Sequence, residues 1–267
     1  MGVKKPGEIS KLICCTVGVS KSKLPLVRMI ILGLFAGMYI AFGAILCTTV
    51  IQDASAYVGL GIAKFLGGAV FSVGLMLVVL CGAELWTGNC LMFGAGLEGD
   101  TTWAKILKAW GIVYTTNLIG SLIFAFMYYY SGLWHMGNDA VGLTAISIAN
   151  GKVNLDFIEA LLRGIFCNIL VCLAVWMTIS ADSTSGKILS CLFPIMAFVA
   201  SGFEHSIANM YFIPIGILCN IDLEVADTGN LNVLGMIFNN IIPVTIGNLI
   251  GGAFFVATLY WIAYHND

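Results

Sequence analysis

The sequence has few charged residues for its length. Of its 267 residues, 10% are Asp, Glu, Lys or Arg and 60% are hydrophobic, whereas a soluble domain carries about 25% charged residues. Apolar runs close to the roughly 20 residues that cross a bilayer as a helix recur along the chain. They leave no stretch for a soluble domain. The composition therefore predicts an integral membrane protein, with the lipid bilayer as its surroundings and no nucleic-acid partner.

Metal-binding and redox motifs are scarce as well. The nine cysteines form no CxxC pair and no cluster with the three histidines, and cysteine within an apolar span behaves as a small hydrophobic residue. Only His205 falls inside a span, whereas haem held across a membrane needs several axial ligands. We predict no metal, no cofactor and no enzymatic activity. A membrane-bound redox subunit stays as an alternative that visible absorbance would reveal.

The apolar runs predict six transmembrane helices and an all-α fold. Their predicted bounds are 27–50, 64–97, 103–130, 157–180, 187–219 and 233–264. Residues 1–26 precede this single domain of residues 27–264, and we expect a short interfacial helix in them. The first 28 residues contain six Lys or Arg and one acid. By the positive-inside rule, we expect both termini of this multi-pass protein to lie in the cytoplasm. We predict the plasma or inner membrane as its location.

The chain contains an internal duplication. Three motifs occur twice in the same order: GLFAGMYIAFGA at 33–44 and GIFCNILVCLAV at 164–175, GAELWTGN at 82–89 and GFEHSIAN at 202–209, and NLIGSLIF at 117–124 and NLIGGAFF at 248–255. Each repeat, at about 27–130 and 157–264, contains three spans. Because three is odd, the second repeat enters the membrane from the opposite side. The duplication predicts two inverted three-helix repeats whose site lies where they meet.

Polar residues interrupt the second and fifth spans. Each interruption carries a glutamate and an asparagine, at Glu84 and Asn89 and at Glu204 and Asn209. Unpaired backbone groups are tolerated at membrane depth only inside protein or beside water. We therefore predict that both spans are broken, with new half-helices starting near 89–90 and near Glu204. Their electropositive N-terminal ends then converge at the centre, an arrangement that favours an anion.

The interrupting residues have two interpretations. We interpret Glu84, Asn89, Glu204 and Asn209 as a loop scaffold, in which each carboxylate accepts hydrogen bonds from free backbone N–H groups of its break. The alternative is a direct proton relay through the glutamates. His205 is an ionisable residue inside the second break, which makes it a functional candidate able to exchange a proton near neutral pH. Its alternative is a neutral imidazole bonded to the loop backbone.

At GAELWTGN, GIFCNILVCLAVWM and GFEHSIANM, the chain resembles the formate/nitrite transporter family. The resemblance extends over roughly residues 24–264. It implies an aquaporin-like fold, a pore in each protomer of a homopentamer, and passage of small monovalent anions such as formate, nitrite or hydrosulfide.

By position, the resemblance also assigns residues to the pathway. The polar ones are His205, Thr87, Lys152, Asn168 and Asn248. The apolar constrictions are formed by Phe71, Leu75, Leu85 and Phe198, and Trp86 stands beside the inner one, where the family usually has phenylalanine. From the sequence alone, Lys152 is equally an ordinary solvated lysine. The two asparagines should face the interior, because an amide facing lipid is costly.

We therefore predict a channel or transporter for weak-acid anions, with formate first and nitrite or hydrosulfide next. In this hypothesis His205 supplies a positive charge or a proton at the apolar constriction, where a bare anion has a large desolvation penalty. The alternative is an aquaporin-like channel for a small neutral solute. That channel would share the half-helix geometry but would not need the histidine.

Overall fold

The computed structural model describes residues 3–265, and the regular secondary structure of these residues is entirely helical. Six of them are long and apolar enough to cross a membrane: Leu26–Ile51, Leu60–Cys81, Trp103–Tyr130, Phe157–Ser180, Ser206–Leu223 and Val233–Tyr264. The first, third, fourth and sixth spans begin and end within one residue of the bounds expected from hydropathy. The predicted number and order of spans are confirmed.

Polar residues define where several of these helices begin. The Asp156 side chain accepts a hydrogen bond from the Glu159 backbone N–H at 2.8 Å and starts the fourth span. Ser183 does the same for the Gly186 N–H at 3.0 Å and starts the helix Thr184–Ala200, which is the first half of the fifth predicted span. A side chain of this kind satisfies one of the N–H groups that a helix start leaves without a partner. The cap at Asp156 agrees with the start expected from hydropathy, whereas the cap at Ser183 starts the fifth span at Thr184, three residues before the expected 187.

The second and fifth spans are broken at equivalent places. The helical pieces are Leu60–Phe71, Val73–Cys81, Trp86–Asn89 and Met92–Glu98 in the second span, and Thr184–Ala200 and Ser206–Leu223 in the fifth. We call the non-helical residues 82–85 the first break and residues 201–205 the second break. Each contains a glycine in the left-handed region, Gly82 at φ 80° and Gly202 at φ 76°, a conformation that glycine adopts without steric cost.

The half-helix starts differ from those we predicted. The first begins at Trp86, three residues before the predicted 89–90, and the second begins at Ser206 rather than at Glu204. The reason for the early start is a cap supplied by another span. The Asn117 side chain accepts the Trp86 backbone N–H at 2.9 Å, so the chain turns helical as soon as it leaves the break.

The duplication is visible in how the spans contact each other. The first span packs on the third, and the fourth packs on the sixth. Gly120 lies against the carbonyl oxygen of Leu34, and Gly251 lies against that of Ile165. Both members of one pair are 131 positions from the members of the other. Because neither glycine has a Cβ, the backbones approach closely at matching points, and the inverted repeat is confirmed.

A further helix accompanies each repeat. The segments Pro6–Leu12, Ile13–Val17 and Gly18–Ser22 follow one another as the N-terminal helix, which packs on Met92–Glu98. The connection between the third and fourth spans contains the helix Ala140–Val153 at the other end of the bundle. Lys21 in the first helix and Lys152 in the second are again 131 positions apart. The repeat therefore extends further towards the N-terminus than the motif comparison indicated.

The first and last residues that the structure describes lie at one end of the bundle. Lys4 Nζ donates to Asp182 at 3.1 Å, and Trp261 Nε1 donates to Glu98 at 2.6 Å. These contacts join the N-terminal helix to the connection between the fourth and fifth spans, and the C-terminal residues to the end of the second span. We call this end the terminal face and the opposite end the distal face.

The sixth span departs from regular α-helix, unlike the third. It contains wide π-helical turns at Met236–Ile241 and Ile250–Thr258, whereas Trp103–Tyr130 is α-helical throughout. Such turns are frequent at functional positions because they redirect side chains. The first π segment carries Asn239 and Asn240 towards the helix Ala140–Val153.

Candidate functional site

Three cavities lie in series between the two faces. The terminal vestibule, of about 570 Å³, is lined by Lys21 and Glu84 among others. The distal vestibule, of about 190 Å³, is lined by Lys152 and Glu204. Between them lies a central cavity of about 10 Å³, whose walls include His205. A space of this size holds about one water molecule.

The apolar residues shared between neighbouring cavities define two constrictions. Leu75 and Leu85 line both the terminal vestibule and the central cavity. Phe71 and Phe198 line both the central cavity and the distal vestibule, with their rings edge to face at 5.9 Å. All four are buried. The structure thus brings together the four apolar residues that were assigned to constrictions.

Trp86 lies behind this wall. Its ring packs against Trp110 at 6.5 Å and Tyr114 at 5.1 Å, both on the third span. It is buried. Its contacts therefore fix the start of the half-helix Trp86–Asn89 against the third span, and any effect on pore width acts through the position of the neighbouring Leu85.

His205 is the N-cap of the half-helix Ser206–Leu223. Its Nδ1 accepts the Ala208 backbone N–H at 3.0 Å, and its Nε2 lies 2.9 Å from Thr87 Oγ1 on the other half-helix. An acceptor nitrogen carries no hydrogen, so the neutral ring bears its hydrogen on Nε2 and donates it to the threonine. The Thr87 hydroxyl hydrogen then stays available to a third group. The pair joins the two half-helices at the central cavity.

Both breaks are held by an asparagine clamp. Asn248 Nδ2 donates to the carbonyl oxygens of Gly164 at 2.8 Å and Glu204 at 2.9 Å, and its Oδ1 accepts the Ser206 N–H at 2.9 Å. The equivalent Asn117 bonds the same three backbone positions in the first repeat, at 2.8–2.9 Å. The two clamps satisfy groups that each break would otherwise leave without a partner.

Asn168 and Asn248 use their amide hydrogens on backbone carbonyl oxygens, and their place on the pathway stays a prediction. Asn168 Nδ2 donates to the carbonyl oxygens of Thr87 at 3.2 Å and Asn248 at 2.6 Å. Both N–H groups of each amide are therefore used by backbone, and both residues are fully buried. They face the interior as expected, but in this geometry they hold the half-helices in place and have no N–H left for a passing solute.

The glutamates of the breaks bind different partners from those we predicted. Their carboxylates accept side-chain donors rather than backbone N–H groups. Lys21 Nζ lies 2.8 Å from both oxygens of Glu84, and Asn89 Nδ2 lies 2.8 Å from one of them. Asparagine side chains and His205 already accept the backbone N–H groups at the half-helix starts. The carboxylates therefore pair with lysine instead. The role of each as a loop scaffold stays a prediction.

The distal face repeats this cluster. Lys152 Nζ donates to the two oxygens of Glu204 at 2.9 and 3.1 Å, and Asn209 Nδ2 donates to one of them at 2.7 Å. Lys152 is 14% exposed and Glu204 6%. The alternative of an ordinary solvated lysine does not hold for Lys152, because its ammonium is largely enclosed and paired.

Sequence reasoning missed three residues of this arrangement: Lys21, Asn117 and Asn240. From the sequence, Lys21 counts only as one of the N-terminal cations that orient the chain in the membrane, although it stands 131 positions before Lys152. Asn117 opens NLIGSLIF just as Asn248 opens NLIGGAFF, so the duplication already contained this signal. Asn240 has no polar counterpart in the first repeat, since Ala109 occupies the matching position.

Within residues 3–265, no three His, Cys, Asp or Glu side chains lie close enough together to hold a metal ion. What the fold does provide is a pair of charged vestibules joined through two apolar constrictions and one buried histidine–threonine pair. An inverted repeat of six spans with broken helices meeting at such a passage is the architecture of a channel or transporter for a small solute.

Comparison with known proteins identifies the family. The chain matches the family described as Formate/nitrite transporter over residues 10–262. It is 42% identical to the probable formate transporter of Methanothermobacter thermautotrophicus, over 99% of this chain and 98% of that protein. It is 38% identical to the formate channel FocA of Escherichia coli (strain K12), over 94% and 91% of the two chains.

A solved structure described as a pentameric formate channel with formate bound matches with a TM-score of 0.83 at 37% identity, covering 90% of this chain and 98% of that one. This chain belongs to the formate/nitrite transporter family, a family of membrane channels and transporters, and the resemblance noted in its motifs is confirmed. It is a multi-pass membrane protein.

Proposed function

We propose that this chain forms a homopentameric channel that carries formate across the plasma or inner membrane, with a passage in every protomer. The formate channels among its relatives and the pentameric structure with formate bound support this proposal. Nitrite and hydrosulfide, which are also small monovalent anions, are secondary substrates. The protein transports these species and does not convert them.

The terminal face is cytoplasmic in this proposal. The cations that favour this orientation are Lys4, Lys5, Lys11, Lys21, Lys23, Arg28, Lys105, Lys108 and Lys187, which are nine of the twelve in the chain. Positively charged residues are retained on the cytoplasmic side during insertion. The terminal vestibule then opens to the cytoplasm and the distal vestibule to the outside.

An anion enters a vestibule through attraction to the lysine that lines it. It then meets an apolar constriction, Phe71 with Phe198 from outside or Leu75 with Leu85 from inside. Removing the water around a bare carboxylate is costly in such surroundings, whereas a neutral acid loses much less. We infer that formate crosses this part of the passage together with a proton, as formic acid.

His205 and Thr87 supply the polar contact between the constrictions. In the neutral ring, Nε2–H donates to the threonine, and the threonine hydroxyl can donate to the substrate. The imidazolium forms only when Nδ1 releases the Ala208 N–H. We propose that an anion in the central cavity stabilises this cation, because an opposite charge nearby favours the charged form. The ring takes its second proton from a hydronium ion of the vestibule, which leaves water behind. It then passes a proton to the carboxylate, so that formic acid leaves and the ring is neutral again.

Formate uptake into proteoliposomes tests the proposal. We expect uptake by the parent protein to rise as external pH falls, with acidification of the lumen. H205N keeps a side chain able to cap Ala208, but it cannot transfer a proton, so its uptake should become independent of pH. A parallel panel of nitrite, hydrosulfide and glycerol separates anion transport from a neutral-solute channel.

The possible results are distinct. Absence of formate uptake by the parent protein, with protein-free liposomes as the control, would overturn the proposed function. An H205N profile identical to that of the parent would overturn the proton-transfer role and leave the channel intact. Glycerol flux exceeding formate flux would favour the aquaporin-like alternative.

A further inference from the structure

The two vestibule lysines have different numbers of hydrogen-bond partners. Lys21 Nζ donates to both oxygens of Glu84 at 2.8 Å and to Asn89 Oδ1 at 3.0 Å, so all three of its N–H groups are used. Among the residues that the structure describes, Lys152 Nζ donates only to the two oxygens of Glu204. Its ammonium lies 5.5 Å from the centre of the Phe212 ring, which also lines the distal vestibule. One N–H of Lys152 therefore faces the vestibule without an acceptor.

Asn209 provides the complementary observation. Its Oδ1 is buried and has no hydrogen-bond partner, although the equivalent oxygen of Asn89 accepts from Lys21. Turning the Asn209 amide over would place this oxygen against the Glu204 carboxylate, where the Nδ2 now donates at 2.7 Å. The orientation is therefore fixed by charge. The oxygen that would use the third N–H of the lysine is held away from it.

Asn240, on the π segment Met236–Ile241, causes this difference. Its Oδ1 accepts from Asn209 Nδ2 at 2.7 Å, and its Nδ2 donates to Glu204 at 3.1 Å and to the Lys152 carbonyl oxygen at 3.0 Å. The matching position in the first repeat is Ala109. No amide there competes for Asn89, which is free to turn its oxygen towards the lysine.

The carboxylates of Glu204 and Glu84 also differ in the number of amide groups that donate to them. One Glu204 oxygen receives two amide donors besides the ammonium, whereas Glu84 receives one amide donor. Amide hydrogen bonds to a carboxylate are strong because the acceptor is charged. Glu204 therefore depends less on its lysine than Glu84 does, and Lys152 is the less firmly held of the two cations.

From these contacts we propose that Asn240 is a positioning residue that keeps one ammonium N–H of Lys152 open to the distal vestibule, so that this vestibule binds the transported anion more tightly than the terminal one. This inference rests on the proposed formate transport. It makes the two entrances unequal, although the repeats place the same Lys–Glu–Asn set at both.

Sided flux measurements test the inference. Formate uptake is measured in sealed right-side-out and inside-out vesicles, giving a half-saturating concentration for each face. In N240A the Asn209 amide is free to offer its oxygen to Lys152, as Asn89 does to Lys21. We expect the half-saturating concentration at the distal face to rise about fivefold to tenfold, the range for loss of one hydrogen bond of average strength. The value at the terminal face and the maximal rate should not change.

Asn239 provides a matched control on the same segment. Its Nδ2 donates to the Val153 carbonyl oxygen at 3.0 Å, and within residues 3–265 its side chain makes no hydrogen bond to Lys152, Glu204 or Asn209. N239A therefore removes a bond between the same two helices without reaching Glu204. We expect N239A to behave like the parent at both faces. The double variant N209A/N240A lacks the oxygen that would occupy the lysine, and it should restore the distal half-saturating concentration.

Equal shifts at both faces, equal shifts in N239A and N240A, or no shift in N240A would each overturn the inference. Because Asn240 is fully buried, N240S, which keeps a polar group, is measured alongside and should shift the distal value in the same direction by less. Failure of the parent to transport formate would instead overturn the proposed function, so the two failures are distinguishable.

Discussion

The two repeats share a scaffold and differ where they meet. Six of the eight residues that line the central cavity form matched pairs from the two halves: Ile40 with Val171, Leu75 with Ile195, and Leu85 with His205. The other two are Phe71 and Phe198. The first two pairs are apolar on both sides. Only in the third does one repeat place an imidazole where the other places an aliphatic side chain. The same shift pairs Thr87 with Ile207.

This contrast separates structure from chemistry. The asparagine clamps, the left-handed glycines and the Lys–Glu–Asn clusters occur in both repeats, because each break leaves the same backbone groups to satisfy. The histidine and the threonine occur once each, from opposite repeats, and they contact one another. In the proposed function, this single polar contact between the repeats serves a passage that is entered from either side. The features that the two repeats share hold the breaks in place, and the two residues that they do not share form the contact at the candidate site.

Breaking either clamp should give the largest effect. N117A and N248A each leave two buried backbone groups of a break without partners, one carbonyl oxygen and one N–H, at about 1–3 kcal/mol per group, and each also removes a bond to a helical carbonyl oxygen. We expect both to lower the free energy of unfolding by about 3 kcal/mol or more, and by similar amounts, because the clamps are equivalent. Thermal unfolding in detergent measures this, with N239A as the control. A normally stable N248A that has lost formate flux would instead return Asn248 to the pathway.

Much of the fold was predictable from the sequence. Hydropathy gave the spans, because the bilayer requires about 20 apolar residues per crossing. The matched motifs at 82–89 and 202–209 gave the breaks and the inversion. The half-helix start at Trp86 was missed because its cap, Asn117, comes from a different span. A local pattern does not contain a partner that is 31 positions away.

The site was predictable in its members more than in its contacts. The duplication and the family resemblance named His205 and Thr87, and the structure brings them within 2.9 Å. Glu84 and Glu204 were given backbone partners, because the lysines that bind them lie far away in sequence. Asn240 had no signal at all, since it has no counterpart in the other repeat. A comparison of the repeats cannot predict a contact that occurs in only one repeat and joins residues far apart in the sequence.

Making the centre more symmetric should give the next largest effect. T87V replaces the hydroxyl that pairs with His205 by a methyl group of similar size, approaching the apolar Ile207 of the other repeat. A lost neutral hydrogen bond of about 1–1.5 kcal/mol corresponds to a fall in formate flux of about fivefold to tenfold. Proteoliposome uptake measures this, and T87S, which keeps the hydroxyl, should retain most of the flux. Equal loss in T87S and T87V would indicate that packing rather than the hydroxyl is responsible.

The smallest effect should come from neutralising the two lysine pairs. K152M/E204Q and K21M/E84Q each remove one positive and one negative charge, so neither leaves a buried charge without its partner. Because each pair is neutral in sum, the long-range potential at either face changes little, and flux should keep the ionic-strength dependence of the parent.

What the distal variant loses is one N–H open to the vestibule. The terminal variant loses a lysine whose donors are all used. We therefore expect the half-saturating formate concentration to rise about fivefold at the distal face and at most about twofold at the terminal face. Equal rises at the two faces would mean that an ammonium attracts the anion whether or not its N–H groups are occupied, and the difference between the repeats would then be confined to the central cavity.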